Sequence, residues 1–206
     1  MIASGVDVVW KLNSSCGKLP NHLKNKGNGQ AKVLTIIELE RLFIELNKNP
    51  CHAALFAICL YTGCRISEAL HLETSDIKEG IIVFRKSTTK GKLKTRVVPI
   101  HPNLEKYLTG YHPGKAGPFF PGQRGRNQFM TRGTADRVLR TACDRAKISG
   151  ASTHSFRRTA LTLMSRAGVP LRHIQEISGH SDLGTLQRYL EVGDDEKIAA
   201  IRAMKI

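Results

Sequence analysis

Negative charge is scarce in this chain: 17 Asp and Glu stand against 32 Lys and Arg, a formal net charge of +15. The resulting excess of positive surface potential points to a polyanionic partner, of which nucleic acid is the commonest; an anionic membrane surface, or a surface that is simply basic and soluble, are the alternatives. Long hydrophobic runs are missing as well. No segment approaches the roughly 18 to 20 apolar residues of a membrane helix. The N-terminus has no basic start followed by an unbroken apolar stretch. The expectation is a soluble, unsecreted, cytoplasmic protein with no membrane partner, nucleoid-associated if it is bacterial. The five cysteines, Cys16, Cys51, Cys59, Cys64 and Cys143, are odd in number and show neither a CxxC pair nor a Cys/His zinc spacing. That argues against a disulfide framework and a zinc site, and suits a reducing cytosol. Three of them lie in or near the apolar run Cys51 to Gly63, where they read as small buried hydrophobes. Internal repeats and low-complexity tracts are absent too.

What is present is an ordinary globular balance, 41% hydrophobic and 24% charged over 206 residues, enough for one sizeable domain. Residues 1–31, rich in Gly, Asn, Ser and Lys, read as a flexible arm or linker. Thr35 and Glu38 form a capping-box pattern ahead of a helical apolar stripe of Ile37, Leu39, Leu42, Phe43 and Leu46. Cys51 to Tyr61 is apolar nearly throughout, a helix buried on most sides, and Gly63 stops it. Ile81 to Phe84 and Arg96 to Ile100 are β-prone runs flanking a strongly basic connection, the pattern of a hairpin or small sheet. Pro102 to Leu108 reads as a short helix and Tyr111 to Asn127 as a Gly/Pro loop. Helices follow over Thr134 to Ala146 and from about Ser152 to Ala167. Another runs from Pro170 to a stop at Gly179, and one near Thr185 to Leu190 carries Tyr189. The predicted class is α+β: mainly α with a small antiparallel β-sheet. The organisation is an arm (1–31), a main domain (32–192) and a C-terminal tail helix (193–206).

Taken singly, the polar candidates have plain readings. An Arg after a buried helix is commonly an ion-pair partner, His154 and Arg157 could be a helix-surface pair, and Gly179-His180 could be a helix stop. Their order carries more. Thr62 to Leu70 reads Thr-Gly-Cys-Arg-Ile-Ser-Glu-Ala-Leu, a basic β-turn holds Lys90, His154-x-x-Arg157 follows, then Gly179-His180, and Tyr189 stands nine residues after that histidine.

From about Thr35 to Leu190 the chain resembles the catalytic domain of the tyrosine recombinases, the phage-integrase family. The resemblance implies that family's catalytic-domain fold and a catalytic set of Arg65, Lys90, His154, Arg157, His180 and Tyr189. Lys86, Lys92 and Lys94 compete with Lys90, because the stretch from Lys90 to Pro99 is about one residue longer than is usual in the family. The chemistry needs such residue types. A phosphodiester under attack gains charge on its non-bridging oxygens, and guanidinium groups are permanently charged, planar donors that can hold two oxygens at once. Arg65 and Arg157 would form that clamp. A tyrosine hydroxyl, ordinarily titrating near 10, needs positive charge or a base beside it, and His154 is the expected base. The hairpin lysine would protonate the leaving 5′ oxygen, while His180 hydrogen-bonds the phosphate. The implied product is a 3′-phosphotyrosine link, with no cofactor or metal. Glu68 is expected to orient a basic side chain near the clamp, Tyr61 to belong to the core, and His71 and His173 to be surface or packing residues. Lys86, Lys92, Lys94, Arg96, Arg124, Arg126 and Arg132 would meet DNA phosphates.

The implied partners are double-stranded DNA, further copies of the chain as a tetramer on paired sites, and accessory DNA-bending proteins. Integration, excision and inversion all fit this chemistry. A type IB topoisomerase-like enzyme and a non-enzymatic DNA-binding module are the competing classes, and the Gly-His and Tyr spacing favours the recombinase. Family members usually carry a core-binding domain of about a hundred residues ahead of the catalytic domain, for which this chain has no room. It is expected to be either an excised catalytic domain or one of the small recombinases without that partner.

Overall fold

A computed structural model describes residues 31–88, 95–122, 125–187, 198 and 201–202. The first helix, α1 (Ile36–Leu46), begins at the expected capping box: Thr35 Oγ1 accepts from the Glu38 amide at 3.2 Å and Glu38 Oε2 from the Thr35 amide at 3.0 Å. Leu39, Leu42, Phe43 and Leu46 share its buried face, whereas Ile37 points outward and is 67% exposed. It stands two residues before Leu39, about 200° round the helix, and so leaves the stripe.

The second helix, α2 (Pro50–Thr62), is the centre of the fold. Pro50 opens it without wasting an amide, and Asn49 Oδ1 accepts from the Cys51 amide at 3.0 Å. Every residue from Ala53 to Leu60 is buried, as its apolar composition requires. It packs against α1, α3 (Ile66–Leu70), α4 (Pro102–Thr109) and α6 (Thr153–Arg166). The Phe56 and Phe156 rings stack with centroids 4.9 Å apart where α2 meets α6. Cys59, Cys64 and Cys143 are buried free thiols, as expected of small apolar side chains.

The hairpin is part of a three-stranded antiparallel sheet of β1 (Ile77–Lys78), β2 (Ile81–Phe84) and β3 (Arg96–Pro99). Ile82 faces Val98 and Phe84 faces Arg96 across it. A second small sheet, β4 (Pro121–Gly122) with β5 (Gly125–Phe129), occupies the stretch expected to be a loop. Its Gly/Pro composition conceals it. What holds it is the neighbouring aromatic pair Phe119 and Phe120, buried beneath Tyr111, whose hydroxyl donates to the Phe119 carbonyl at 2.9 Å.

Helix α5 (Arg132–Arg145) starts two residues earlier than expected, because Thr131 rather than a later residue caps it, its Oγ1 accepting from the Thr134 amide. Then come α6, α7 (Leu171–Ser178) and α8 (Leu183–Gln187). Both α2 and α7 end on glycines in the left-handed region, Gly63 at φ 60° and Gly179 at φ 69°. The two turns they make meet at the site described next.

Candidate active site

Arg65 follows the Gly63 turn directly and caps α3. Its amide donates to Glu68 Oε2 at 2.9 Å and its Nη1 to Glu68 Oε1 at 3.2 Å. Glu68 is 1% exposed, while the Arg65 side chain keeps 25% of its surface in solvent. A buried carboxylate thus braces a cation that still reaches outward.

Arg157, from the first half of α6, is 3% exposed. Its Nη1 donates to two backbone carbonyls, Gly63 and Ser178, so one guanidinium ties the end of α2 to the end of α7. Burial first, and Arg65 beside it second, pull its pKa down to about 10, which leaves it charged at neutral pH. Arg96 joins this cluster from β3. Its Nη2 lies 3.2 Å from Glu68 Oε2, its Nη1 donates to the Ser178 carbonyl at 3.2 Å, and its guanidinium stands 4.4 Å from the centroid of Phe84. Three arginines therefore surround one carboxylate, an excess of positive charge that an incoming anion would relieve.

Both histidines stand in that field. His180, one residue past Gly179, is pushed down to about 3 by burial first and then by Arg157, Arg65 and Arg96. It is neutral at physiological pH. His154 lies exposed in the first turn of α6, three residues before Arg157 and hence on the same face. Partial burial lowers its pKa, helped by Arg132, Arg157 and Arg65. A neutral imidazole beside two guanidiniums can accept a proton.

The structure thus brings together Arg65, Arg157, His154 and His180 from three segments distant in sequence. Lys90, Lys92, Lys94, Arg124 and Tyr189 lie outside the described residues, as does the side chain of Arg126. Lys86 is exposed just beyond the last paired residues of the hairpin, its amide bonded to Thr95 Oγ1. Arg132 is exposed at the start of α5, within 3.7 Å of Asp136. Arg96 departs from its expected place on the basic surface. It is 8% exposed and engaged by Glu68 and Ser178, so it braces the site from inside. Strand alternation carried that signal, since Arg96 shares its face with inward Val98. Glu68 does orient Arg65, as expected, and Ser178 is a contributor the motif reading passed over.

The three described tyrosines are engaged in packing. Tyr61 stacks on His101, Tyr107 packs against Phe43, and Tyr111 bonds Phe119. Burial raises the pKa of all three, the opposite of what a nucleophile requires.

The phage integrase family matches residues 32–196 of the sequence. The chain belongs to the phage integrase family. Among its relatives is a tyrosine recombinase of Thermosipho africanus, 32% identical over 153 residues, covering 72% of this chain and 52% of that protein. Another is tyrosine recombinase XerD of Corynebacterium glutamicum, 34% identical over 69% of this chain and 48% of its own length. The chain spans about half the length of such relatives. The fold is that of the family's catalytic domains. The catalytic domain of bacteriophage HP1 integrase superposes with a TM-score of 0.62 at 26% identity, over 84% of this chain and 95% of that one. XerA recombinase gives a TM-score of 0.74 at 24% identity, over 88% of this chain and 67% of that one.

Proposed function

We propose that this integrase-family chain is the strand-breaking and rejoining domain of a site-specific recombinase acting on double-stranded DNA. The observation that carries the reading is the convergence of two guanidiniums, Arg65 and the buried Arg157, with His154 and His180, whose pKa values burial and those guanidiniums lower. This is a cradle for the charge that grows on a phosphodiester under attack. Kinship with named tyrosine recombinases supports the same reaction.

In the proposed reaction the Tyr189 oxygen attacks phosphorus and His154 takes the phenolic proton. The bond from phosphorus to the 5′ oxygen breaks, and Lys90 supplies that oxygen with a proton. A 3′-phosphotyrosine link and a free 5′-hydroxyl result. Attack by a 5′-hydroxyl of another strand then rejoins DNA and frees the tyrosine. Lys86, Lys92, Lys94, Arg124, Arg126 and Arg132 hold phosphates around the site. Strand exchange uses a tetramer of copies on paired sites, assisted by accessory DNA-bending proteins, in the cytoplasm. The tail after Gly193 contributes to that assembly, and its Ile198 and Ile201 are 50% and 66% exposed.

The test is incubation with nicked duplexes drawn from the DNA that flanks the gene, followed by denaturing electrophoresis. The wild-type chain should trap a covalent adduct and Tyr189→Phe none, with duplex binding retained. No adduct from the wild type, or full yield from the variant, overturns the proposal. Relaxation of supercoils without joined products from two sites would move the chain to the topoisomerase class.

A further inference from the structure

Ser178 ends α7 two residues before His180 and is wholly buried. Its backbone carbonyl already accepts from Arg157 and Arg96, and its hydroxyl oxygen lies 2.7 Å from Nδ1 of His180. Among the described residues the hydroxyl has one other hydrogen-bond neighbour, the Gln175 carbonyl at 3.4 Å, beyond the usual range for an O–H donor. A neutral imidazole carries one N–H and one acceptor nitrogen, so what His180 can offer a phosphate depends on which nitrogen holds the proton.

We infer that Ser178 is a positioning residue: its hydroxyl donates to Nδ1 of His180 and keeps the ring proton on Nε2, as the donor a phosphate oxygen needs. This rests on the recombinase reading above. Two observations favour this direction of the bond. In the reverse arrangement Nδ1–H would donate to Ser178, leaving the serine's own proton in a buried place with, among the described residues, the 3.4 Å contact to use. The second concerns Arg157, whose Nη2 is 2.9 Å from Nε2 and 3.2 Å from Nδ1. A donor aimed at one lone pair lies in the ring plane and well away from the other nitrogen. A nitrogen nearly equidistant from both sits against the ring face, and that contact leaves the proton on Nε2 undisturbed. Burial, reinforced by Arg157, Arg65 and Arg96, keeps the ring neutral, so it has a single proton to place.

The experiment reads the tautomer directly, by long-range proton–nitrogen correlation on the full chain with labelled histidine at pH 7. Cleavage of a nicked duplex and duplex affinity are measured in parallel. The wild type should show His180 protonated on Nε2. Ser178→Ala should raise the Nδ1–H form and lower the cleavage rate at least about tenfold, short of the roughly 10²–10³ lost when a donor is removed outright. Affinity should stay unchanged, and Ser178→Thr, which restores a hydroxyl, should recover tautomer and rate together. A wild-type ring protonated on Nδ1 overturns the inference. So does a Ser178→Ala variant that leaves either the tautomer or the rate unchanged. Because the spectroscopic arm needs no DNA, a wild type that forms no adduct would defeat the recombinase reading alone, and the tautomer would still decide the bond.

Discussion

Glu68 and Arg96 form an ion pair at 3.2 Å with side chains only 1% and 8% exposed, and the same carboxylate holds Arg65. A buried pair adds little net stability, since desolvation offsets its attraction, but removing one partner strands the other charge at a cost of about 3–5 kcal/mol. Here the stranded charges would be two guanidiniums beside a third. Glu68→Gln should therefore lower the unfolding free energy by about 3 kcal/mol in urea titration. Adding Arg96→Met should recover more than half of that. A single variant as stable as the wild type would show that Glu68 is not the counter-charge.

The Arg96 guanidinium also explains the second left-handed glycine. A Cβ on Gly179 would collide with Arg96 Nη1, whereas one on Gly63 would meet only ordinary contacts, the nearest at 3.7 Å. Both positions have positive φ, so alanine is strained at each by about 1–2 kcal/mol. Only at Gly179 must a pinned arginine also leave Glu68 and the Ser178 carbonyl. Gly179→Ala should destabilise the fold at least about 1 kcal/mol more than Gly63→Ala, the value of a lost hydrogen bond. Equal melting losses in calorimetry would deny that Arg96 is held in place.

His180 makes stability depend on pH in a definite direction. Its pKa falls from 6.5 in the unfolded chain to about 3 in the fold. Between those values the unfolded state binds the extra proton, so stability is fully present above about 6.5 and declines as pH drops toward 3. The slope is about 1.4 kcal/mol per pH unit for one such group. His154 is lowered too and acts with the same sign. Urea midpoints at pH 7.5 and 5 should separate for the wild type by more than for His180→Gln. Identical separations would mean that His180 titrates normally.

Much of this was legible in the sequence. The capping box at Thr35, the proline and glycine that bound α2, and the apolar run between them are local signals, and the elements stand where those signals put them. The order of Arg65, His154, Arg157 and His180 identified the cluster because motif spacing survives folding. What escaped depended on partners far away in the chain. β4 and β5 are held by Phe119 and Phe120 beneath Tyr111, which no turn rule expresses. Arg96 looked like one more cation in a basic stretch; alternation with Val98 hinted at an inward face, but its partners Phe84 and Glu68 lie elsewhere in the chain. Ser178 had no motif of its own, since its role comes from where the α7 terminus sets its hydroxyl against His180.

The hairpin supplies the last prediction. Phe84 pairs with Arg96, and the Lys86 amide bonds Thr95 Oγ1 at 3.2 Å, so the paired stem closes there and the connection between carries Lys90, Lys92 and Lys94. Arg96 is committed to Glu68, and in the proposed reaction the proton for the leaving oxygen comes from that connection. A lysine that donates this proton matters only when the leaving group needs one. On an ordinary duplex Lys90→Ala should slow cleavage by about 10²–10⁴, the usual worth of a positioned acid. On a substrate with a 5′-bridging sulfur, whose thiolate leaves unaided, the variant should return to within about tenfold of the wild-type rate. A phosphate-binding lysine would instead depress both substrates alike and weaken affinity. If Lys92→Ala is rescued by sulfur and Lys90→Ala is not, the acid is Lys92.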